Sequence, residues 1–575
     1  MSSVESRNIP AAAPTWRGLT GLVWWIEHAF ERARADQRPD EDTRVRIFLM
    51  LVVFGALFVA LVAGATHAAL LSGGHDASGW RGGPTLARGD LTDRDGRLLA
   101  TNIRHYGLYV DPAEVWDREA ALQAMVTALP RLPRQRLHDA IHGDRRVVVM
   151  NGLTPPERAA LHRLALGGIY FEAENARAYP LGVSAAHVIG FAGDTGVTGA
   201  ELAFDREIRE AGRTGAPTPL SIDLRVQAAL ENELYAAAAE LGAHGAVGIV
   251  TNVQTGEVLG MASYPAYDPN RRQETRAGEM NRVVSGHYEM GSVLKAFTIA
   301  AGLDTGQADM TTTFDASDPL QIGNRAIRDF HAQNRVMTLE EVFLYSSNIG
   351  TSRLAIEMGP DVMRRYFQDL GLLDAAPIEL HESAAPRRPV NWSDTTLASL
   401  SFGYGIMVTP AQAAAAMGAL LNGGRYVPLT LRPAQGPHPG VRRVVSEDTS
   451  LTMLDLMRRN VVRGSGSRAD APGLRVGGKT GSANKVVDGR YDPTHAVGSF
   501  AAVFPTDGPL EAPRYLVFIL MDEPQGYPRT GGFVAAPVAG RVIDRIADFV
   551  GVERAADRWR TIDGRRIPQE GEATQ

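Results

Sequence analysis

Residues 47–66 read IFLMLVVFGALFVALVAGAT, 20 positions without a charged side chain. No other stretch constrains the chain so strongly, because a run this apolar has to be buried in a core or in lipid. At 1.5 Å per residue a helix of that length covers about 30 Å, the hydrocarbon thickness of a bilayer. Arg44 and Arg46 flank its N-terminal end, whereas the next cation on the far side is Arg81. That asymmetry predicts an N-terminus in the cytoplasm and everything after the span outside it. A cleaved signal peptide is the alternative, with Ala63-Gly64-Ala65 as the cleavage site, but 46 residues is far too long for a signal n-region. The expectation is a cytoplasmic tail over 1–46 and a single permanent transmembrane helix over 47–71. In the tail, residues 18–36 suit either a short amphipathic helix, on the membrane surface or against a partner, or a partly ordered segment.

The chain has no cysteine, which removes disulfides, thiolate metal sites and Cys nucleophiles and suits an oxidising compartment. Its formal net charge of -6, without a clustered basic excess, argues against a nucleic-acid partner.

Beyond the anchor, residues 72–84 (SGGHDASGWRGGP) form a Gly-rich linker. RGDLTDRDGRLLATN (88–102) reads as two short strands around Asp95-Gly96, and helical patterns follow at 118–129 and 155–166. This stretch carries no chemical motif, so 72–218 is read as linker and support domain. A second composition shift begins at 212–234. Residues 245–265 then read as a hairpin turning at Thr255-Gly256, with helical patterns at 292–304, 338–357, 361–371 and 410–422. Strands near 474–484, 496–504 and 514–522 and a closing helix near 537–550 complete an α/β domain over 219–553 with a largely antiparallel sheet. Residues 554–575 read as a loose tail.

Cation usage points to the chemistry. Of 59 Lys and Arg residues only three are lysines: Lys295, Lys479 and Lys485. Arginine stays protonated in any protein environment, whereas a desolvated lysine can lose its proton and act as a base. Ser292 and Lys295, three residues apart in GSVLKAF, share one face of a helix and can meet. A neutral lysine there would take the serine's proton and make it a nucleophile. Lys479 lies in VGGKTGSANK. Residues 473–480 match the spacing of a phosphate-binding loop, but no apolar strand precedes them and no helix follows, so the match is rejected. K-T-G on a strand fits instead, with Gly481 leaving room for a ligand backbone alongside. Between the lysines, YSSNIG (345–350) lies on a helical run. Ser346 supplies a hydroxyl able to relay a proton, and Asn348 an amide able to orient a lysine or a substrate.

In this order S-x-x-K, S-x-N and K-T-G form the active-serine set of penicillin-binding proteins and class A β-lactamases. The chain resembles class B penicillin-binding proteins from about Arg88 to its last helix. The likeness includes RGDLTDRDGRLLA, ARAYPLGVSAAHVIGF (176–191), GVTGAELAFD (196–205), NRVVSGHYEMGSVLKAFT (281–298), SFGYGIMVTPAQ (401–412) and TGGFVAAPV (530–538). The Y-G-Y-G-like stretch favours the cell-division type over the elongation type. The resemblance implies a membrane-anchored α+β pedestal followed by a penicillin-binding/β-lactamase-like transpeptidase domain, whose antiparallel sheet is flanked by helices. It implies catalytic Ser292, Lys295, Ser346, Asn348 and Lys479, with Thr480, Gly481 and Ser482 binding the substrate. Asn348 would hold Lys295 and the substrate amide, and the Ser292 and Ser482 N–H groups would form the oxyanion hole. No metal or organic cofactor is implied. The implied partners are D-Ala-D-Ala stem peptides, β-lactams as inhibitors, a membrane-embedded glycan polymerase and small bitopic division proteins. The implied location is the inner membrane, with the catalytic domain periplasmic. Met290 stands where the family often has proline, and Ser482 where it has threonine. For Lys485 a salt bridge or a solvated strand end is expected.

Other readings fit less well. A class A β-lactamase needs an E-x-x-L-N motif, absent after Asn348, and a bifunctional class A penicillin-binding protein needs a glycosyltransferase domain for which 72–218 is too short. An elongation-type transpeptidase or D,D-carboxypeptidase shares the catalytic set. A non-catalytic division scaffold or β-lactam sensor is disfavoured by that set being intact and by the lack of a cytoplasmic signalling domain.

Overall fold

The computed structural model describes residues 50–62, 88–271 and 280–555, and the strands Trp559–Ile562 and Arg565–Pro568. The chain divides into two compact units at Gly83 and Pro84. In the first, residues 50–62 are helical, and Phe54, Phe58 and Leu61 present apolar side chains that are 68–70% exposed. Among the described residues no helix is long and apolar enough to cross a membrane. Residues 1–49 and 63–87, which hold the rest of the expected anchor, the tail and the linker, lie outside the described residues.

The second unit begins with a mixed sheet. Strand β1 (Leu91–Thr92) pairs antiparallel with β2 (Leu98–Val110) and parallel with β5 (Thr218–Pro219). The long β2 also pairs with β3 (Val147–Leu153) and β4 (Ile169–Ala178). Helices α1 (Arg118–Ala128), α2 (Arg134–His142) and α3 (Pro155–His162) build a core in which Leu122, Met125, Leu137, Ile141 and Leu161 are buried with Leu108 and Val149. The start of α3 is dictated locally. Thr154 and Glu157 cap each other's backbone N–H, and Pro155 fills the first turn, where no N–H is needed. Three separate sequence blocks meet in one buried ion-pair cluster. Glu201 accepts from Arg88 at 2.7 Å and from Arg177 at 2.6 Å, while Arg88 also reaches Asp205. Arg88 and Arg177 are thus neutralised by carboxylates from a different block, which ties the three together.

The larger sheet has the order β8–β9–β10–β6–β7 and is antiparallel throughout. Its strands are β6 (Gly245–Asn252), β7 (Val258–Tyr264), β8 (Gly477–Val487), β9 (Arg490–Phe504) and β10 (Tyr515–Asp522). Strand β10 shows why its sequence is a continuous apolar run. Leu516, Phe518 and Leu520 enter one core with Phe297 and Leu454, while Val517, Ile519 and Met521 enter the other with Leu230 and Val542. A strand buried on both faces has no polar alternation. Helices α4 (Leu224–Glu240) and α9 (Ala536–Ile546) cover the second face. Helices α5 (Lys295–Asp304), α6 (Asn348–Asp369), α7 (Pro410–Leu421) and α8 (Glu447–Arg463) pack on the first.

Three readings differ from the structure. The run through YSSNIG is broken: Ser346 has φ 58°, and Ser347 is extended and caps α6 through Gly350 N. The left-handed residue turns the chain between two helices and brings Ser346 to Lys295, a tertiary demand that helical periodicity does not register. The strands near 474–484 and 496–504 are the body of a longer hairpin. The reading of 554–575 as loose missed the antiparallel pairing of Trp559–Ile562 with Arg565–Pro568.

Candidate active site

Ser292 lies on a tight 3₁₀ turn, Gly291–Leu294, that runs directly into α5. In a 3₁₀ turn residues three apart eclipse one another, so Ser292 and Lys295 face the same way as the spacing predicts. The turn is set by its neighbours. Gly291 has φ 53°, and a side chain there would come within 2.2 Å of Ser482 O. Met290, in place of the family's proline, has φ -81°, close to the value proline imposes, so the chain keeps the same path.

Lys295 and Lys479 are both fully buried, and both converge on Ser346. Lys295 Nζ donates to Ser346 Oγ at 3.0 Å and to the Ser346 carbonyl, while Lys479 Nζ donates to Ser346 Oγ at 3.0 Å and to Thr480 O at 3.3 Å. Burial and the neighbouring Lys479 hold the Lys295 ammonium well below the ordinary lysine range, opposed in part by Asp329. Burial alone brings Lys479 down to about 7. Two cations on one hydroxyl repel, so losing a proton from Lys295 relieves both desolvation and repulsion.

The structure links Lys295, Ser346, Lys479 and Thr480 by hydrogen bonds at the edge strand β8 and packs the Ser292 turn, through Gly291, against Ser482 on the same strand. Asn348 stands at the start of α6, and its amide donates to Arg328 O at 2.9 Å, while the bonds of Lys295 Nζ go to Ser346. Ser482 Oγ accepts from Gly531 N at 3.1 Å, tying β8 to the TGG segment. At Gly481 a side chain would meet Ser499 Oγ at 2.3 Å and Met290 O at 2.4 Å, so its missing side chain makes room for the segment that leads into the Ser292 turn. Gly481→Ala is expected to destabilise the protein by about 1–3 kcal/mol, as overpacking does, and to slow acylation of Ser292 by displacing its turn. Thermal unfolding and acylation kinetics measured together check this; an unchanged Tm would refute the close approach.

Several neighbours had no signal in the sequence. Thr480 Oγ1 bonds Ser465 Oγ at 2.8 Å, and Ser465 leans on Asn460, whose amide also holds Gly478 O. Asp329 accepts from Ser347 Oγ at 2.7 Å and from Ile349 N at 2.9 Å, fixing the Ser346 turn. The Phe343 ring lies 5.6 Å from Lys479 Nζ. Lys485, the third lysine, is a salt-bridge residue, 2.9 Å from Asp522 and 2.6 Å from Glu523.

A serine beside a desolvated lysine, with a second hydroxyl shared between two lysines, can form and hand on an ester, which places the chain among active-site-serine acyltransferases. Residues 246–544 match the penicillin-binding protein transpeptidase domain, and 85–213 the penicillin-binding protein dimerisation domain. The chain is 52% identical to a probable peptidoglycan D,D-transpeptidase FtsI of Caulobacter vibrioides, over 95% of each chain. It is 31% identical to the peptidoglycan D,D-transpeptidase FtsI of Escherichia coli K12, over 82% of this chain and 84% of the relative. It is 29% identical to a probable peptidoglycan D,D-transpeptidase, PenA, of Neisseria gonorrhoeae, over 81% and 85%. The chain therefore belongs to the class B penicillin-binding proteins, and within them to the FtsI type.

Proposed function

We propose that Ser292 is the nucleophile of a peptidoglycan D,D-transpeptidase that cross-links stem peptides during septal wall synthesis. The observation that carries this is the convergence of two fully buried lysines on Ser346 Oγ beside the Ser292 turn. Neutral Lys295 takes the Ser292 proton as Oγ attacks the penultimate D-alanine carbonyl. The oxyanion forms against the N–H groups of Ser292 and Ser482. The C–N bond then breaks, and Ser346 passes a proton from the lysine pair to the departing D-alanine amine. Thr480 and Ser482 hold the terminal carboxylate, and Asn348 the substrate amide. An amine of a second stem peptide attacks the ester, gives up its proton through the same pair, and frees Ser292 with the cross-link made. β-Lactams acylate Ser292 by the same route.

The apolar run at 47–66 serves in this reading as the inner-membrane anchor, with the catalytic domain periplasmic; the exposed apolar helix at 50–62 supports it. The anchor and the domain of β1–β5 are where a membrane-embedded glycan polymerase and bitopic division proteins would bind. Intact mass after incubation with benzylpenicillin tests the chemistry. One stable adduct is expected, absent in Ser292→Ala; no adduct on a folded protein would overturn the assignment.

A further inference from the structure

The free edge of β8 is where a peptide would lie against the site, and one of its donors is already taken. A Gly291 side chain would stand within 2.9 Å of Ser482 N, C and O, so the Ser292 turn packs on that residue. Backbone groups alternate between the two edges of a strand, so Ser482 and Asn484, two residues apart, present theirs along the same edge, and the Asn484 N–H marks it as the one turned away from β9. That N–H donates to Tyr404 Oη at 3.2 Å.

Tyr404 is held there between aromatic neighbours, with the Phe402 ring 5.7 Å away. Its ring meets Tyr491 edge-on at a centroid separation of 5.0 Å. Tyr491 Oη donates to Glu289 Oε1 at 3.0 Å, and the same oxygen accepts from Gly405 N at 2.7 Å. The segment before Ser292, the loop 401–405 and the far arm of the β8–β9 hairpin thus meet at the Glu289 carboxylate, beside the Tyr404–Tyr491 ring pair. Burial raises the Tyr491 hydroxyl, with Glu289 adding to it, which keeps it protonated as the donor.

We infer that Tyr404 is a specificity-determining residue that ends strand-like recognition of the donor peptide at Ser482; the inference rests on the transpeptidase reading. A stem peptide running antiparallel to β8 exchanges two hydrogen bonds with Ser482 through the D-alanine whose carbonyl reacts. The next exchange falls two residues upstream, opposite Asn484, where Tyr404 Oη stands. The donor is therefore gripped over its two terminal D-alanines and the residue before them. The chain nearer the glycan leaves the strand.

The test uses the detergent-solubilised full chain, Tyr404→Phe, and two synthetic thioester donors. One is N-acetylated immediately before the residue preceding D-alanine; the other carries two further α-linked residues. The readout is the long-to-short ratio of kcat/KM. It is expected to lie near unity in the wild type and to rise about three- to tenfold in Tyr404→Phe, the net effect of one hydrogen bond gained. Hydrogen exchange of a peptide spanning Asn484 is expected to quicken in the variant. Phenylalanine keeps the ring contact with Tyr491, so a shift in the ratio reports the hydroxyl and not the packing. A wild-type ratio far above unity, an unchanged ratio in the variant, or unchanged exchange at Asn484 overturns the inference. Benzylpenicillin adduct formation, run on the same samples, separates the two readings: its absence in the wild type sinks the transpeptidase chemistry, whereas its presence with an unmoved ratio sinks only the role of Tyr404.

Discussion

Lys295→Arg is expected to lower the rate of benzylpenicillin acylation by about 10²- to 10⁴-fold, the range lost with a general base. Arginine preserves the cation and much of the reach, so a structural or ion-pairing lysine would tolerate it. What arginine does not preserve is the ability to shed a proton, because a guanidinium stays charged in proteins. The site is built to make that difference matter. Lys295 is fully buried, and its amine and that of Lys479 each lie 3.0 Å from Ser346 Oγ, placing them within about 6 Å of each other. Stopped-flow acylation gives the rate, and Lys295→Met guards against a variant that loses activity by misfolding, since methionine fits a lysine-shaped cavity without charge. Both substitutions are expected to fall in the same range. A Lys295→Arg enzyme within tenfold of the wild type would end the case for a neutral base.

Lys479→Met is expected to separate stability from activity, with acylation falling and Tm rising. Lys479 is fully buried, and its proton affinity drops from 10.5 to about 7 on folding. Between those values the unfolded chain binds more protons than the folded one, so the stability of the wild type should rise with pH from about 7 toward 10.5. Below about 7 the whole penalty of burying an ammonium is present. Methionine removes that penalty while filling similar space, so the variant should gain most at neutral and acid pH and little above pH 10. Lys295 shifts in the same direction and adds to the slope. In the same variant Ser346 loses one of its two donors and Lys295 loses the neighbouring charge that helps keep it neutral, so acylation should drop. Thermal melts across pH 6–10 check the first claim. A variant less stable than the wild type at pH 7 would show that the Lys479 contacts outweigh the desolvation of its charge.

Both variants bear on residues that the sequence already marks out. Scarcity of lysine singled out Lys295 and Lys479, and helical geometry alone joined Ser292 to Lys295, because three residues along a tight turn are neighbours whatever the rest of the fold does. The hairpin at 245–265 and the strand near 514–522 are likewise local consequences of turn residues and apolar runs. The rest is set by tertiary contacts. YSSNIG keeps helical periodicity on both sides of Ser346, yet the chain breaks there because Lys295, 51 residues away, takes Ser346 as its partner. The neighbours of Gly481, Met290 and Ser499, likewise reach it only after folding.

The amino-acid order by itself determined the inventory: an apolar run of membrane length, a support region without chemistry, and three motifs carrying a serine, a relay and two removable protons. Tertiary structure alone decided that these motifs make one site, by setting edge strand β8 against the turn before α5 and drawing Lys479 to Ser346 across 133 residues. It also decided that Asn348 rests on Arg328, that Ser465 braces Thr480, and that Tyr404 closes the strand at Asn484. The physical reason is one of range. Propensity and periodicity act over a few residues, whereas desolvation and charge repulsion, which turn a lysine into a base, depend on groups that only a packed core brings within a few ångströms.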